Sequence, residues 1–365
     1  MTRRAYLDWL RGVAVLIMIE AHTLDSWTRP DDRSRAFFQW AMVLGGFGAP
    51  LFLFLAGVAL TLAAGARARK GLSDQHVARV AQRRGWQIFS LAFLFRLQAA
   101  VLGGGGLASL LKVDILNVMG VSMLAASGLW AIPRGSRSRA IFFSVATGAV
   151  AMLTPLVRST RLLDPLPDVI EAYLRPVPGR TAFTLFPWAG FMTGGAAVGL
   201  WLDSARTLDD ERRTIAALGF VGLVLAFAGY STSFLAPIYQ HTSFWTSSPT
   251  FFFLRLGILI IAVAIAFGWN TVFRGSSPLQ EFGIASLFVY WIHVEMVYGV
   301  LSAPIHGRLT FEQSLLAMLL FSLFLFGLVK LKNRVYGSVP TATTLHENQA
   351  KGQGHVAPTS SGRPG

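Results

Sequence analysis

The sequence predicts an all-α, polytopic integral membrane helical bundle of about ten transmembrane helices with both termini cytoplasmic. Three observations carry that prediction. Of the 365 residues, 53% are hydrophobic and 14% charged, where soluble domains carry roughly 25% charge. Apolar runs of about 20 residues, enough to cross a bilayer core, recur along the chain. The 32 Lys and Arg outnumber the 18 Asp and Glu, and they gather in short connectors between the runs, as the positive-inside rule expects of cytoplasmic loops. A nucleic-acid partner would need the +14 charge on a folded soluble face, and the runs leave none. With no cysteine in the chain, disulfides, thiolate nucleophiles and Cys metal sites are excluded. No His or carboxylate cluster has ligand spacing such as HExxH, so no metal is expected.

In chain order the runs fall near 6–27, 37–65, 86–104, 109–132, 140–158, 182–202, 214–236, 250–269, 281–302 and 311–331. The first is read as a retained span and not a cleaved signal peptide, because Asp8, Arg11, Glu20 and His22 interrupt it and no small-residue cleavage pattern follows. The connector with Arg67, Arg69, Lys70, Arg79, Arg83 and Arg84 against Asp74 is assigned to the cytoplasm, as are Arg134, Arg137 and Arg139 and the Lys330–Arg334 end. The 203–213 connector has slightly more acid than base, but acids weigh little in this rule. The third span carries Arg96 and ends in Gly103–Gly106, and the fifth ends at Pro155. The Pro-rich stretch 159–181 predicts an outer loop with a short interfacial helix at 166–174. Residues 1–335 are expected to form one transmembrane domain, and 336–365, poor in large apolar side chains, a disordered cytoplasmic tail. No internal repeat stands out, which counts against inverted-repeat transporters.

The polar residues inside the runs are the candidates for function. Arg11 and His22 are eleven positions apart, close to three full helical turns, so they share one helix face about 16 Å apart along the axis. A cation and an imidazole inside a membrane helix are costly and mark a functional site. With the first helix running outward, Arg11 lies in the inner half and Glu20, His22 and Asp25 in the outer half. Arg96, Lys112, Asp114, Asn117, Arg255, His293 and Glu295 also fall in the outer half, which predicts a water-filled cavity open to that side. Structural roles compete with each assignment. Asp8 and Arg11 have the spacing of an i,i+3 pair, as do His22 and Asp25. Arg96 and Arg255 could snorkel or pair with Asp114 and Glu295, and His293 could be a helix-packing hydrogen bonder.

The segment Tyr6–His22, with Leu7-Asp8, Arg11-Gly12 and an apolar run to His22, resembles the first helix of the membrane-bound acyltransferase superfamily. Gly48–Gly57, Leu185–Phe191 and Phe282–His293 resemble its heparan-alpha-glucosaminide N-acetyltransferase-like bacterial branch, while the first helix is also similar to that of bacterial O-acyltransferases. The resemblance implies a multi-pass acyltransferase of the bacterial cytoplasmic (inner) membrane. It would move an acyl group, typically acetyl, from cytoplasmic acyl-CoA to an amine or hydroxyl of a sugar or envelope glycan. Acetyl-CoA would be a co-substrate, with no cofactor held permanently. The matching base would be His22, with Asp25 and His293 as further catalytic candidates. Arg11, Arg96, Asp114, Asn117, Arg255 and Glu295 would bind substrate. The resemblance departs here: in the lysosomal enzyme the position matching His22 resembles an Asn and the working His follows some way further on, whereas residues 28–36 here contain no His. The expected partners are membrane lipid, the acyl-CoA donor and a glycan or sugar acceptor, and a homodimer is compatible with the sequence. The alternatives are a small-molecule transporter with an Arg-lined outer cavity built on Arg96 and Arg255, or a non-catalytic envelope protein.

Overall fold

A computed structural model describes residues 4–103, 110–240, 242–273, 275 and 277–337. The tail expected to be disordered, but for its first two residues, and most of the Gly103–Gly106 run lie outside the described residues. The helices are α1 (Ala5–Trp27), α2 (Ala36–Gly45), α3 (Gly48–Ala68), α4 (Asp74–Gly103), α5 (Ile115–Ala131), α6 (Ser136–Ser159) and α7 (Asp168–Leu174). They continue as α8 (Leu185–Ser204), α9 (Leu208–Thr232), α10 (Pro249–Val272), α11 (Pro278–Ile284), α12 (Ser286–Tyr298) and α13 (Phe311–Tyr336). Strand pairing among the described residues is confined to two isolated bridges, Thr28 with Leu309 and Val113 with Thr181. The protein is an all-α membrane bundle, as the apolar runs predict.

Six helices are long and apolar enough to cross a membrane among the described residues: α2 and α3 taken together, α6, α8, α9, α10 and α13. The remaining expected spans depart from that standard for identifiable reasons. Helix α1 carries Asp8, Arg11, Glu20 and Asp25, and α4 has a charged first half. Helix α5 has 17 residues, and the expected 281–302 span breaks at Ala285 into α11 and α12. Residues 74–84, read as connector from their charge, are the start of α4. Hydropathy reports what lipid accepts, whereas a helix can continue beyond the bilayer. The interfacial helix expected at 166–174 appears as α7, and α6 runs through Pro155 to Ser159.

The lipid-facing surface is visible as unburied apolar side chains. Phe220, Leu223 and Phe227 on α9, and Leu316, Leu319, Leu320 and Leu323 on α13, are exposed. In water such faces would be an aggregation hazard; in a bilayer they are the solvent-facing side.

Ion pairs gather the basic connectors at one end of the bundle. Arg4 and Tyr6 both bond Glu211, at 2.6 and 2.7 Å. Arg69 pairs with Asp203 at 2.5 Å, and Arg139 with Asp74 at 2.5 Å. Two acids of the 203–213 connector, Asp203 and Glu211, are thus paired with arginines of the amino terminus and of the 67–84 segment, while Asp209 pairs with Arg212 and Asp210 caps α9. At the other end, Leu309 pairs with Thr28, and the Asp32 carboxylate accepts the first N–H of α13, from Phe311, at 3.0 Å.

Helix α1 is central, in contact with α2, α3, α10, α11, α12 and α13. Glycine sets its closest approach. A Cβ on Gly12 would collide with the Leu279 carbonyl, and one on Gly283 with the Asp8 carbonyl. Helices α1 and α11 therefore meet backbone to backbone through a reciprocal pair of glycines, running in opposite senses. Beyond Ala285 the chain turns, and α12 runs alongside α1 in the same sense, with Ser26 and Trp27 both donating to the Val297 carbonyl. The same device joins α3 to α8, where Gly57 faces the Met192 carbonyl and Gly195 the Phe54 carbonyl. Small residues permit such contacts, and in lipid, packing replaces the hydrophobic effect between helices.

Candidate functional site

The second half of α1 presents His22 to α12, where His293 is fully enclosed. His22 Nδ1 lies 2.8 Å from His293 Nε2, and the rings are nearly parallel. His293 Nδ1 lies 2.9 Å from the Val289 carbonyl oxygen. A carbonyl only accepts, so a neutral His293 carries its proton on Nδ1 and offers a lone pair at Nε2. His22 must then donate from Nδ1, which leaves its own Nε2 unprotonated. The hydrogen-bond chain therefore fixes both tautomers and makes His22 Nε2 the basic atom of the pair.

His22 opens onto a cavity of about 1370 Å³, larger than the roughly 300–1,000 Å³ of ordinary small-molecule sites. One face of α1 contributes Arg11, Met18, Ala21, His22 and Asp25 to its wall. The opposite wall comes from α4 and α5 through Arg84, Ile88, Phe95, Arg96, Met119 and Met123. Among the described residues its ionisable lining includes Arg11, Arg84, Arg96 and Lys112 against Asp25, Asp114 and Glu295. The walls are otherwise largely apolar, so these charges act in a medium that screens them little.

The other expected site residues divide into those the fold brings to this cavity and those it does not. Arg11 lines it and pairs with Asp8 at 3.2 Å, so the i,i+3 pair and the cavity position are both realised. Arg96 and Asp114 line it and form an ion pair at 3.0 Å, linking α4 to the start of α5. Asp25 lines it too, but its carboxylate accepts from Tyr298 at 3.2 Å, and the ring partner of His22 is His293. Glu295 faces the cavity, and its Oε1 has no hydrogen-bond partner. Asn117 lies behind the wall, where it completes a capping box with Asp114 at the start of α5 and donates to the Tyr173 hydroxyl. Burial, with the Asp114 charge adding to it and the Asn117 amide opposing, holds the Tyr173 phenol above its ordinary value, so it stays protonated. Arg255 belongs elsewhere: its guanidinium stacks 4.1 Å above the Phe251 ring in a separate cavity and forms no pair with Glu295.

Three residues join the site that sequence reasoning did not single out. Tyr298 touches both Asp25 and the His22 ring, and Tyr290 packs edge-on against His293. Both lie in or just beyond the aromatic stretch that ends at His293, so their proximity had a sequence signal. Arg84 had none, because it counted only as connector charge.

Fold and cavity define the class: an integral membrane helical protein with a histidine pair on a long internal cavity. Residues 3–239 match the family described as heparan-alpha-glucosaminide N-acetyltransferase, catalytic, and the chain belongs to that family. Acetyl transfer by a membrane-embedded protein is therefore its general activity class. The match includes Arg11, His22, Asp25, Arg96 and Asp114 and ends before Arg255, His293 and Glu295. No individual curated protein matches the chain.

Proposed function

We propose that this protein transfers an acetyl group from acetyl-CoA to an amine or hydroxyl of a sugar or envelope glycan across a bacterial inner membrane. Its described helices would form a single transmembrane unit. The observation that supports this reading best is the continuity of one cavity from Arg11 and Arg84 to His22 and Asp25. Positions 11 and 25 are fourteen residues apart on α1, about 21 Å along its axis. The donor enters from the end bearing the basic connectors, and Arg11 and Arg84 hold its phosphates through charge-assisted hydrogen bonds. The pantetheine arm lies along the apolar walls and carries the thioester to His22.

There the acceptor's nitrogen or oxygen attacks the thioester carbonyl carbon as His22 Nε2 takes the acceptor proton. The new C–N or C–O bond forms, the tetrahedral intermediate collapses, and the C–S bond breaks. The departing sulfur takes the proton back from the imidazolium, so His22 ends as it began. His293 acts through His22: it holds the ring and its tautomer, the part a carboxylate plays in hydrolase triads. Asp25 lines the same cavity one turn from His22 on α1, where its charge would favour the transient imidazolium.

The test is acetyl transfer from labelled acetyl-CoA by purified protein with a glycan-fragment pool. His22→Ala should lower turnover by about 10²–10⁴-fold, the usual contribution of a positioned base. Wild-type turnover in the variant, or no thioester consumption by the wild type with any acceptor, would overturn the reading.

A further inference from the structure

A second cavity, of about 350 Å³, lies beside the first and falls within the size range of small-molecule sites. Gly46, Ala182 and Trp188 are shared between the two walls. Arg158, near the end of α6, and Arg255, in the second turn of α10, both line it, and no carboxylate does among the described residues. Neither arginine has an acidic partner there. Arg158 donates to the Phe186 carbonyl at 3.2 Å, but its Nε is buried and unpartnered. Arg255 makes cation–π contacts with Phe251 and Phe47, and its Nε is also buried and unpartnered. A guanidinium stacked by its face keeps its in-plane N–H donors for a ligand. Two guanidinium groups sharing a cavity repel each other, and an oxyanion relieves that repulsion while accepting from their terminal N–H groups. Ser248 and the amino-terminal end of α10 also border the cavity and add positive potential.

We infer that this cavity is an oxyanion-binding site, taking a phosphate, sulfate or carboxylate group between Arg158 and Arg255. The 350 Å³ volume and the Trp188 and Trp245 side chains leave room for an apolar or ring-bearing remainder of the same molecule. The inference stands apart from the acyl-transfer reading, since it uses neither His22 nor the large cavity.

Thermal unfolding of the purified full chain tests it, with sodium phosphate or a short-chain phosphatidic acid compared with chloride at equal ionic strength. The wild type should gain a saturable rise in Tm of about 3 °C or more. The Arg158→Gln/Arg255→Gln double variant should lose that rise while still unfolding cooperatively in chloride. Arg255→Lys should retain part of the response, at weaker affinity. A response to both probes identifies a free anion as sufficient, and a response to phosphatidic acid alone identifies a lipid-borne one; either supports the site. Equal responses in wild type and double variant, or none in either, would overturn it. Acetyl-CoA binding to the same samples separates the two proposals: anion response without donor binding sinks the acyl-transfer reading and leaves this one intact.

Discussion

Replacing His293 by Leu tests the histidine pair directly. The side chain is 0% exposed, and Leu fills a similar space, so the perturbation is chemical more than volumetric. Two hydrogen bonds disappear, the 2.8 Å contact with His22 Nδ1 and the 2.9 Å contact with the Val289 carbonyl. The second loss is mild, because a helical carbonyl keeps its backbone partner. The first leaves His22 Nδ1–H without an acceptor, at about 1–3 kcal/mol of stability, and frees the ring to carry its proton on Nε2, where it can no longer act as a base. Misassigned tautomers in triads cost about 10⁴ in turnover, and lost orienting partners of metal ligands about 10–100. We therefore expect kcat to fall by about 10²–10⁴, or roughly 3–5.5 kcal/mol of barrier. The KM for acetyl-CoA should change less than about threefold, because His293 is not part of the cavity wall. His293→Gln puts an amide oxygen near the place of Nε2 and should keep kcat within about tenfold of wild type. Single-turnover transfer from labelled acetyl-CoA, alongside Tm, reads both variants. Wild-type kcat in a folded His293→Leu protein refutes the tautomer argument. So does a His293→Gln protein that binds donor yet is as inactive as the Leu variant.

Three further outcomes follow from the same geometry. Arg11→Gln should raise the KM for acetyl-CoA about tenfold or more with little change in kcat, the pattern of lost uniform binding; steady-state kinetics with an unchanged KM would remove Arg11 from the donor site. Arg96→Gln leaves the Asp114 carboxylate, 8% exposed, without its cation and should destabilise the protein by about 3–5 kcal/mol, with Arg96→Gln/Asp114→Asn recovering part of the loss. Additive Tm effects in that double-mutant cycle would show that the pair is not coupled. Although partial burial works the other way, the Phe311 N–H and the Arg29 guanidinium hold Asp32 below the ordinary carboxylate range. Its folded value is depressed, so its contribution is fully present above about pH 4 and fades as pH falls through the lowered value. Asp32→Asn should flatten the dependence of Tm on pH below about 4, and an unchanged acid profile would show that Asp32 does not set it.

The parts of this architecture legible in the sequence are those written in local period and charge. The apolar runs gave the helices, and the eleven-residue interval from Arg11 to His22 placed both on the α1 face that lines the cavity. Arg96 with Asp114 was foreseeable as an ion pair because both fall at one depth on successive helices. The Asp114–Asn117 spacing just before an apolar run is itself a helix-start signal, and reading Asn117 as a substrate ligand overlooked it. The His22–His293 contact could not be read the same way. It joins residues 271 apart, and no periodicity of either helix specifies it.

What specifies that contact is a register set at the other end of the same helices. Gly12 admits the Leu279 carbonyl and Gly283 admits the Asp8 carbonyl, so α1 and α11 can dock at one axial position only. Arg11 is one residue from Gly12, about 100° around the helix, and so faces the cavity while its neighbour faces α11. After the break at Ala285, α12 starts from that fixed point and has eight residues from Ser286 to bring His293 level with His22. The Arg11-Gly12 dipeptide and the Phe282–His293 stretch, which looked like independent motifs, are thus two halves of one alignment. The glycines hold one end of α1 in register, and the imidazoles meet at the other end because of it. On this view the large cavity owes its geometry to a contact of glycines with backbone carbonyls at the Arg11 end, away from the histidine pair.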